Sequence, residues 1–263
     1  MVTFTIIDET NTTAIQEIAT SMPSSDMETT TADYMDYSEE RAKIGAILPK
    51  PFALLSLICS YVMIREVIAE HRLKRGRPML RMLLAMAMAD IFYSFASFLG
   101  TWPAPGDVEH TMYGNIGSQG FCTFQAFVLH FGLMASVLSN AALSIYYLNV
   151  VVYRKTDRDL EKMEIYLQSF IWIVSLVLAI YPIPMELYNP DVDLCYLQSI
   201  PAFCSGDDCI RGSDPFIPHM IALGIPFLFL MLSTCIMIAI TIQVRKVENK
   251  SRKIWSKQHW PAT

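Results

Sequence analysis

Between Phe121 and Val152 the chain runs 32 residues without one Asp, Glu, Lys or Arg, and it meets charge again only at Arg154 and Lys155. As a helix rising about 1.5 Å per residue, this run is about 48 Å long, enough to cross a hydrocarbon layer of about 30 Å and emerge beyond it. Four further apolar runs accompany it, and a soluble core has no use for five such segments. The pattern predicts an all-α, polytopic membrane helix bundle with spans at about 44–69, 79–102, 121–152, 163–187 and 216–244. The first is the least regular, because Lys50 and Pro51 interrupt its outer part and Lys50 must reach outward for the rest to span.

The polar residues of the central run share one arc. At about 100° per residue, His130, Ser136, Asn140, Ser144 and Tyr147 fall on the same side of the helix, which should face protein or a wet cavity rather than lipid. Ordinary interhelix hydrogen bonds are the plainer reading of each one alone. Asp90 is the acid placed deepest in any run, so it must be protonated, paired, hydrated or bound to a cation. A structural carboxyl bonded to Ser136 or Asn140 is the competing reading. Trp172 reads as packing.

Charge gives the orientation. Of 20 Lys and Arg, the segments after the first, third and fifth spans hold six, four and six, and the others are Arg41, Lys43, Lys50 and Arg211. The excess of basic residues in cytoplasmic loops then puts the N-terminus outside and the C-terminus inside. Residues 1–43, rich in acid, Ser and Thr, read as a disordered outer tail with a glycosylation sequon at Asn11 and no cleavable signal peptide. Residues 245–263 read as a basic inner tail lying on an anionic leaflet. Cys122, Cys195, Cys204 and Cys209 all fall on the outer side, where two disulfides in one of three pairings are expected; Cys59 and Cys235 read as unpaired packing residues.

Taken together, Met86-Ala87-Met88-Ala89-Asp90, Trp102-Pro103, Cys122, the run Ser139 to Tyr147 and Cys195-Tyr196 resemble seven-helix G-protein-coupled receptors. The secretin-like and slime-mould cyclic-AMP-receptor-like groups are the most similar, over about residues 44–250. The resemblance implies the first five helices of a receptor bundle, a plasma-membrane location, an outer ligand and a heterotrimeric G protein. It pairs Cys122 with Cys195, leaving Cys204 for Cys209, and it suggests a sodium ion between Asp90 and Ser136. It places ligand binding near His130 and the second outer loop, with coupling through Asp90, Ser136 and Asn140 to the basic inner segments, and Asp90, His130, Asn140 and Ser144 form the ligand and core polar network. Two departures matter. Tyr146-Tyr147-Leu148 stands where rhodopsin-like receptors carry an acid-Arg-aromatic triplet, and no sixth apolar run follows, so a shortened sequence is the expectation.

Other functions are weighed by what they need. A non-signalling five-helix protein that associates with full-length receptors is one alternative, and a small transporter or channel is another, although the latter predicts repeats or several intramembrane ionisable groups. The histidines His71, His110, His130, His219 and His259 are dispersed, with none at i, i+4 from another. No metal pair, phosphate loop, cofactor motif or nucleophile elbow is visible, which argues against an enzyme. Lipid headgroups account for the basic segments better than nucleic acid does.

Overall fold

The structure, a computed structural model, describes residues 40, 42–73, 78–106, 113–191, 193–201, 204, 209–212 and 216–259. The expected tail, with Asn11, lies outside the described residues apart from its last positions. Five helices carry the architecture: α1 Pro49–Leu73, α2 Pro78–Leu99, α3 Gln119–Val151, α4 Asp157–Ile180 and α5 Phe216–His259. All five include a stretch long and apolar enough to span a membrane, and the first such stretch begins at Ala42, ahead of α1.

Helix ends follow local chemistry. Pro78 opens α2, where a missing N–H costs nothing. Gly100, with φ of 55°, supplies the left-handed residue that closes it. Ser118 caps α3, its hydroxyl accepting the Phe121 N–H at 3.4 Å. The fourth helix begins at Asp157 and stops at Ile180, earlier at both ends than the expected 163–187: Thr156 takes the extended N-cap conformation with its hydroxyl donating to Asp159 Oδ2, acids fill the first turn of DRDLE, and Pro182 and Pro184 cannot extend a helix.

The third helix is the hub. It packs against α2, α4 and α5, and 56% of its apolar window is buried, against 17% for α5. In lipid, helices associate through close packing rather than through the hydrophobic effect. Small residues supply that closeness here: Ala85, Ala87, Ala89 and Ala96 of α2 and Ala126, Ala135, Ala141 and Ala142 of α3 are buried. The first helix packs on α2, with Lys50 Nζ 3.8 Å above the centre of the Trp102 ring, so this lysine meets an aromatic face.

Two features differ from the sequence expectation. The segment between α4 and α5 contains a short antiparallel hairpin, β1 Tyr188–Pro190 and β2 Cys195–Leu197, in register Tyr188↔Leu197, Asn189↔Tyr196 and Pro190↔Cys195. The segment from Arg245 is no separate tail up to His259: α5 runs unbroken for 44 residues, about 66 Å. No Gly or Pro interrupts it after Pro226, so nothing ends the helix at the membrane boundary. Cys59 and Cys235 are free but exposed on the helix surface rather than packed inside.

Candidate functional site

The N-terminal end of α3 is built around its first turns. Cys122 is disulfide-bonded to Cys195, with Cα atoms 5.3 Å apart, and Cys204 is bonded to Cys209. One turn below Cys122 lies Gln125, fully buried. Its Nε2 donates to the carbonyls of Ala96, at 2.9 Å, and Gly100, at 2.7 Å, while its Oε1 accepts the Cys195 N–H at 3.2 Å. A single amide thus satisfies two carbonyls at the end of α2 and one strand N–H. Gln119 adds a second tie, its Nε2 donating to the Tyr188 carbonyl and to Asn189 Oδ1. Gln125 went unnoticed as a site residue in the sequence, although an amide one turn past an outer cysteine in a charge-free run was the available signal.

Beneath this fixed hairpin sits His130, 2% exposed, with no hydrogen-bond partner on either ring nitrogen. The imidazole stacks on Tyr196, centroids 5.8 Å apart, and meets the Tyr188 ring edge-on at 6.4 Å. The Tyr188 hydroxyl donates to the Ala179 carbonyl at 2.8 Å, whereas the Tyr196 hydroxyl is buried without a partner. Burial raises both phenols above their usual pKa, so they remain neutral donors. Among the described residues this site therefore holds three buried polar atoms without partners, two imidazole nitrogens and one hydroxyl.

Deeper along the same arc, Ser136 donates to Asp90 Oδ1 at 2.5 Å. Asn140 does not join that pair. Its Nδ2 donates to Ser233 Oγ at 3.4 Å, and Ser144 and Ser233 share a hydrogen bond at 2.6 Å. The arc is thus divided into an α2–α3 pair and an α3–α5 cluster. Ser233, which completes the second, was hidden in the sequence because one serine in an apolar run carries no pattern. Asp90 and Ser136 are hydrogen-bonded to one another, and their three side-chain oxygens are too few to hold a cation alone. Among the described residues no group of three acidic, His or Cys side chains is positioned for a metal.

At the opposite end of the bundle, Glu164 is 3% exposed and is held by Arg81, whose Nε lies 2.9 Å and Nη2 2.5 Å from Oε2. Glu161 is a weaker partner at 3.4 Å. Glu164 is more deeply buried than Asp90, which is only half-buried. The sequence ranked them the other way because Glu164 sits in a mixed-charge segment that resembles a loop. Trp172 packs on Phe131, centroids 5.6 Å apart.

No family model matches the chain, and no curated protein sequence does either. Among solved structures, the crystal structure of squid rhodopsin matches with a TM-score of 0.58 at 15% identity, over 81% of this chain and 55% of that one. The chain thus spans about half the length of that protein. An identity this low speaks to the fold alone: a multi-pass membrane helix bundle similar to that of rhodopsin, in keeping with the receptor resemblance of the sequence.

Proposed function

We propose that the chain acts as a receptor-like integral membrane protein that takes an outer ligand beneath the β1–β2 hairpin, against His130 and Tyr196. One observation carries this reading: an imidazole 2% exposed, with both nitrogens unpartnered, below a hairpin fixed by a disulfide and by Gln125. A buried polar group left without a partner costs on the order of 1–3 kcal/mol. A ligand offering one donor and one acceptor would offset that cost. The aromatic walls suit a small, flat or apolar molecule with few polar groups.

In this reading the N-terminus is outside, as the distribution of Lys and Arg indicates, the protein resides in the plasma membrane, and Asn11 carries glycan. The Asp90–Ser136 pair and the Asn140–Ser144–Ser233 cluster lie at successive depths below His130 on α3, forming a route toward the basic inner segments. A heterotrimeric G protein is the partner that the resemblance nominates there. Sodium at Asp90 and Ser136 would need oxygens beyond the three that these side chains offer. A second reading, association with a full-length receptor, is favoured by α5, whose Phe227, Leu228, Met231, Ile238 and Ile242 are exposed.

The test uses the purified full chain, its thermal unfolding followed against a panel of small amines, carboxylates, nucleosides and apolar alcohols. A compound that stabilises the protein but not its His130→Phe variant supports the site; stabilisation equal in both places the ligand elsewhere. Reconstitution with purified G protein then separates the two readings, since nucleotide exchange supports the first, and stable co-purification with a seven-helix receptor without exchange supports the second.

A further inference from the structure

The inner ends of α3 and α5 part around a cleft of about 420 Å³. Val151, Val152, Val244 and Val247 line it with apolar surface, and Arg154 and Gln243 add polar groups. It lies where both helices leave the apolar phase. On α3 the charge-free run stops at Val152, and on α5 Val244 is followed by Arg245 and Lys246. Its chemistry therefore changes from hydrocarbon to cation across a few ångströms, as a membrane boundary does.

The backbone at Arg154 is unusual. It is left-handed, with φ of 49°, and it closes α3 through a hydrogen bond from the Lys155 N–H to the Asn149 carbonyl at 3.2 Å. A left-handed residue just past a helix end is ordinarily glycine, because a Cβ is disfavoured in that conformation. A guanidinium thus stands where backbone geometry alone selects no side chain, and such local strain points to a function for the side chain. Glu248 also borders the cleft, but its carboxylate is paired with Arg252 at 2.5 Å. Among the described residues Arg154 forms no ion pair, so its charge is the uncompensated one.

We propose that this cleft holds an anionic phospholipid, with its phosphate on the Arg154 guanidinium and the Gln243 amide and the start of an acyl chain on the four valines. Charge complementarity favours a phosphate, and Arg presents a fork of donors that fits one. Continuity favours a lipid over a peptide from the aqueous side, since Ile242, next to the cleft on α5, is exposed apolar surface along which an acyl chain can enter. The inference rests on the membrane fold and not on the receptor reading.

Native mass spectrometry of the purified full chain in detergent, titrated with dioleoyl phosphatidylserine or dioleoyl phosphatidylcholine, tests it. The wild type should bind the anionic lipid at least about fivefold more tightly, the factor that one basic residue near a membrane surface supplies. Arg154→Gly should lose that preference with an unchanged or higher melting temperature, because glycine suits the left-handed cap. Arg154→Gln, which keeps a side chain at the cap, should also lose it, and Arg154→Lys should retain it. Lys246→Gln, off the cleft, should change the preference by less than about twofold. Equal binding of both lipids by the wild type, a preference that survives Arg154→Gly, or an equal loss in Lys246→Gln would each overturn the proposal, as would selective uptake of an acidic peptide in place of the lipid.

Discussion

Gly132 of α3 meets α2 so closely that a Cβ built on it would stand 2.5 Å from the backbone nitrogen of Tyr93 and 3.1 Å from the Ala89 carbonyl. The obstacle is backbone, which cannot rotate away. This approach, one turn above Ser136, is what brings the Asp90 carboxylate within 2.5 Å of the Ser136 hydroxyl. Gly132→Ala should push the helices apart and cost about 1–3 kcal/mol, the usual range for overpacking. Asp90→Asn should cost less, because an amide still accepts from Ser136. Thermal unfolding of the two variants in the same detergent checks the order, and a neutral Gly132→Ala would show that α2 and α3 are not held at this spacing.

The pair Arg81 and Glu164 is unequal: the side chain of Arg81 is 33% exposed and that of Glu164 4%. Removing either partner leaves a different orphan. Arg81→Met strands a buried carboxylate, and breaking a buried pair costs on the order of 3–5 kcal/mol. Glu164→Gln leaves a guanidinium that can turn toward water and Glu161, so its cost should be much smaller. The double variant Arg81→Met with Glu164→Leu should recover most of the loss. Chemical denaturation of the three variants decides, and equal costs for the two single variants would mean that Glu164 is hydrated.

How far the sequence reveals this molecule depends on the length over which each signal repeats. Exclusion of charge from about 20 residues is a long signal, and it marks the five helices. A three-residue strand is too short to show alternation, so the hairpin was not visible between Tyr188 and Leu197. The arc on α3 was legible because helical period places His130, Ser136, Asn140 and Ser144 together. Their partners were not, since one residue such as Ser233 on another helix has no period of its own. Glu164 was masked by its neighbours: DRDLEKME looks solvated until Arg81, 83 residues away, is brought to it. Sequence reports what one helix avoids or repeats, whereas contact between helices fixes which residue answers which.

His130→Phe should make the ligand-free protein more stable. The ring and its packing on Tyr196 are kept, while two buried nitrogens without partners disappear. The gain should be about 1–3 kcal/mol, the cost of a buried unsatisfied group. Under the proposed binding role, such a gain is the usual trade between stability and function. Unfolding measured without added compounds checks the sign, and a loss of stability would reveal a hydrogen bond to His130 that helps hold the fold.

The two disulfides should differ in worth through the loops they close. Cys122–Cys195 spans 73 residues and Cys204–Cys209 only 5. Loop-closure entropy alone favours the first by about 2 kcal/mol. The first also holds β2 against α3, where Gln125 receives the Cys195 N–H. Cys122→Ser with Cys195→Ser should therefore lower the melting temperature clearly and open the hairpin to protease, while Cys204→Ser with Cys209→Ser should do little. Similar losses from both pairs would place the hairpin's stability elsewhere.

Asp193 gives the hairpin segment a pH dependence whose sign follows from its surroundings. Its carboxylate rests on Gly45, which has no side chain to displace it, and burial there, then repulsion from Asp191, raises its pKa above the ordinary 3.8. An acid whose pKa is higher folded than unfolded binds more protons in the folded state. Its contribution is therefore fully present below the ordinary value and is lost as pH rises from there through the folded-state value. Asp193→Asn should remove that loss, leaving the protein more stable at neutral pH and its profile flatter across the mildly acidic range. Gly45→Ala should flatten the profile by another route, because the new methyl group would force the carboxylate into water, where its pKa returns toward 3.8. Unfolding midpoints across a pH series for the three proteins measure this directly, and a wild-type profile that rises with pH through this range would contradict the assignment to Asp193.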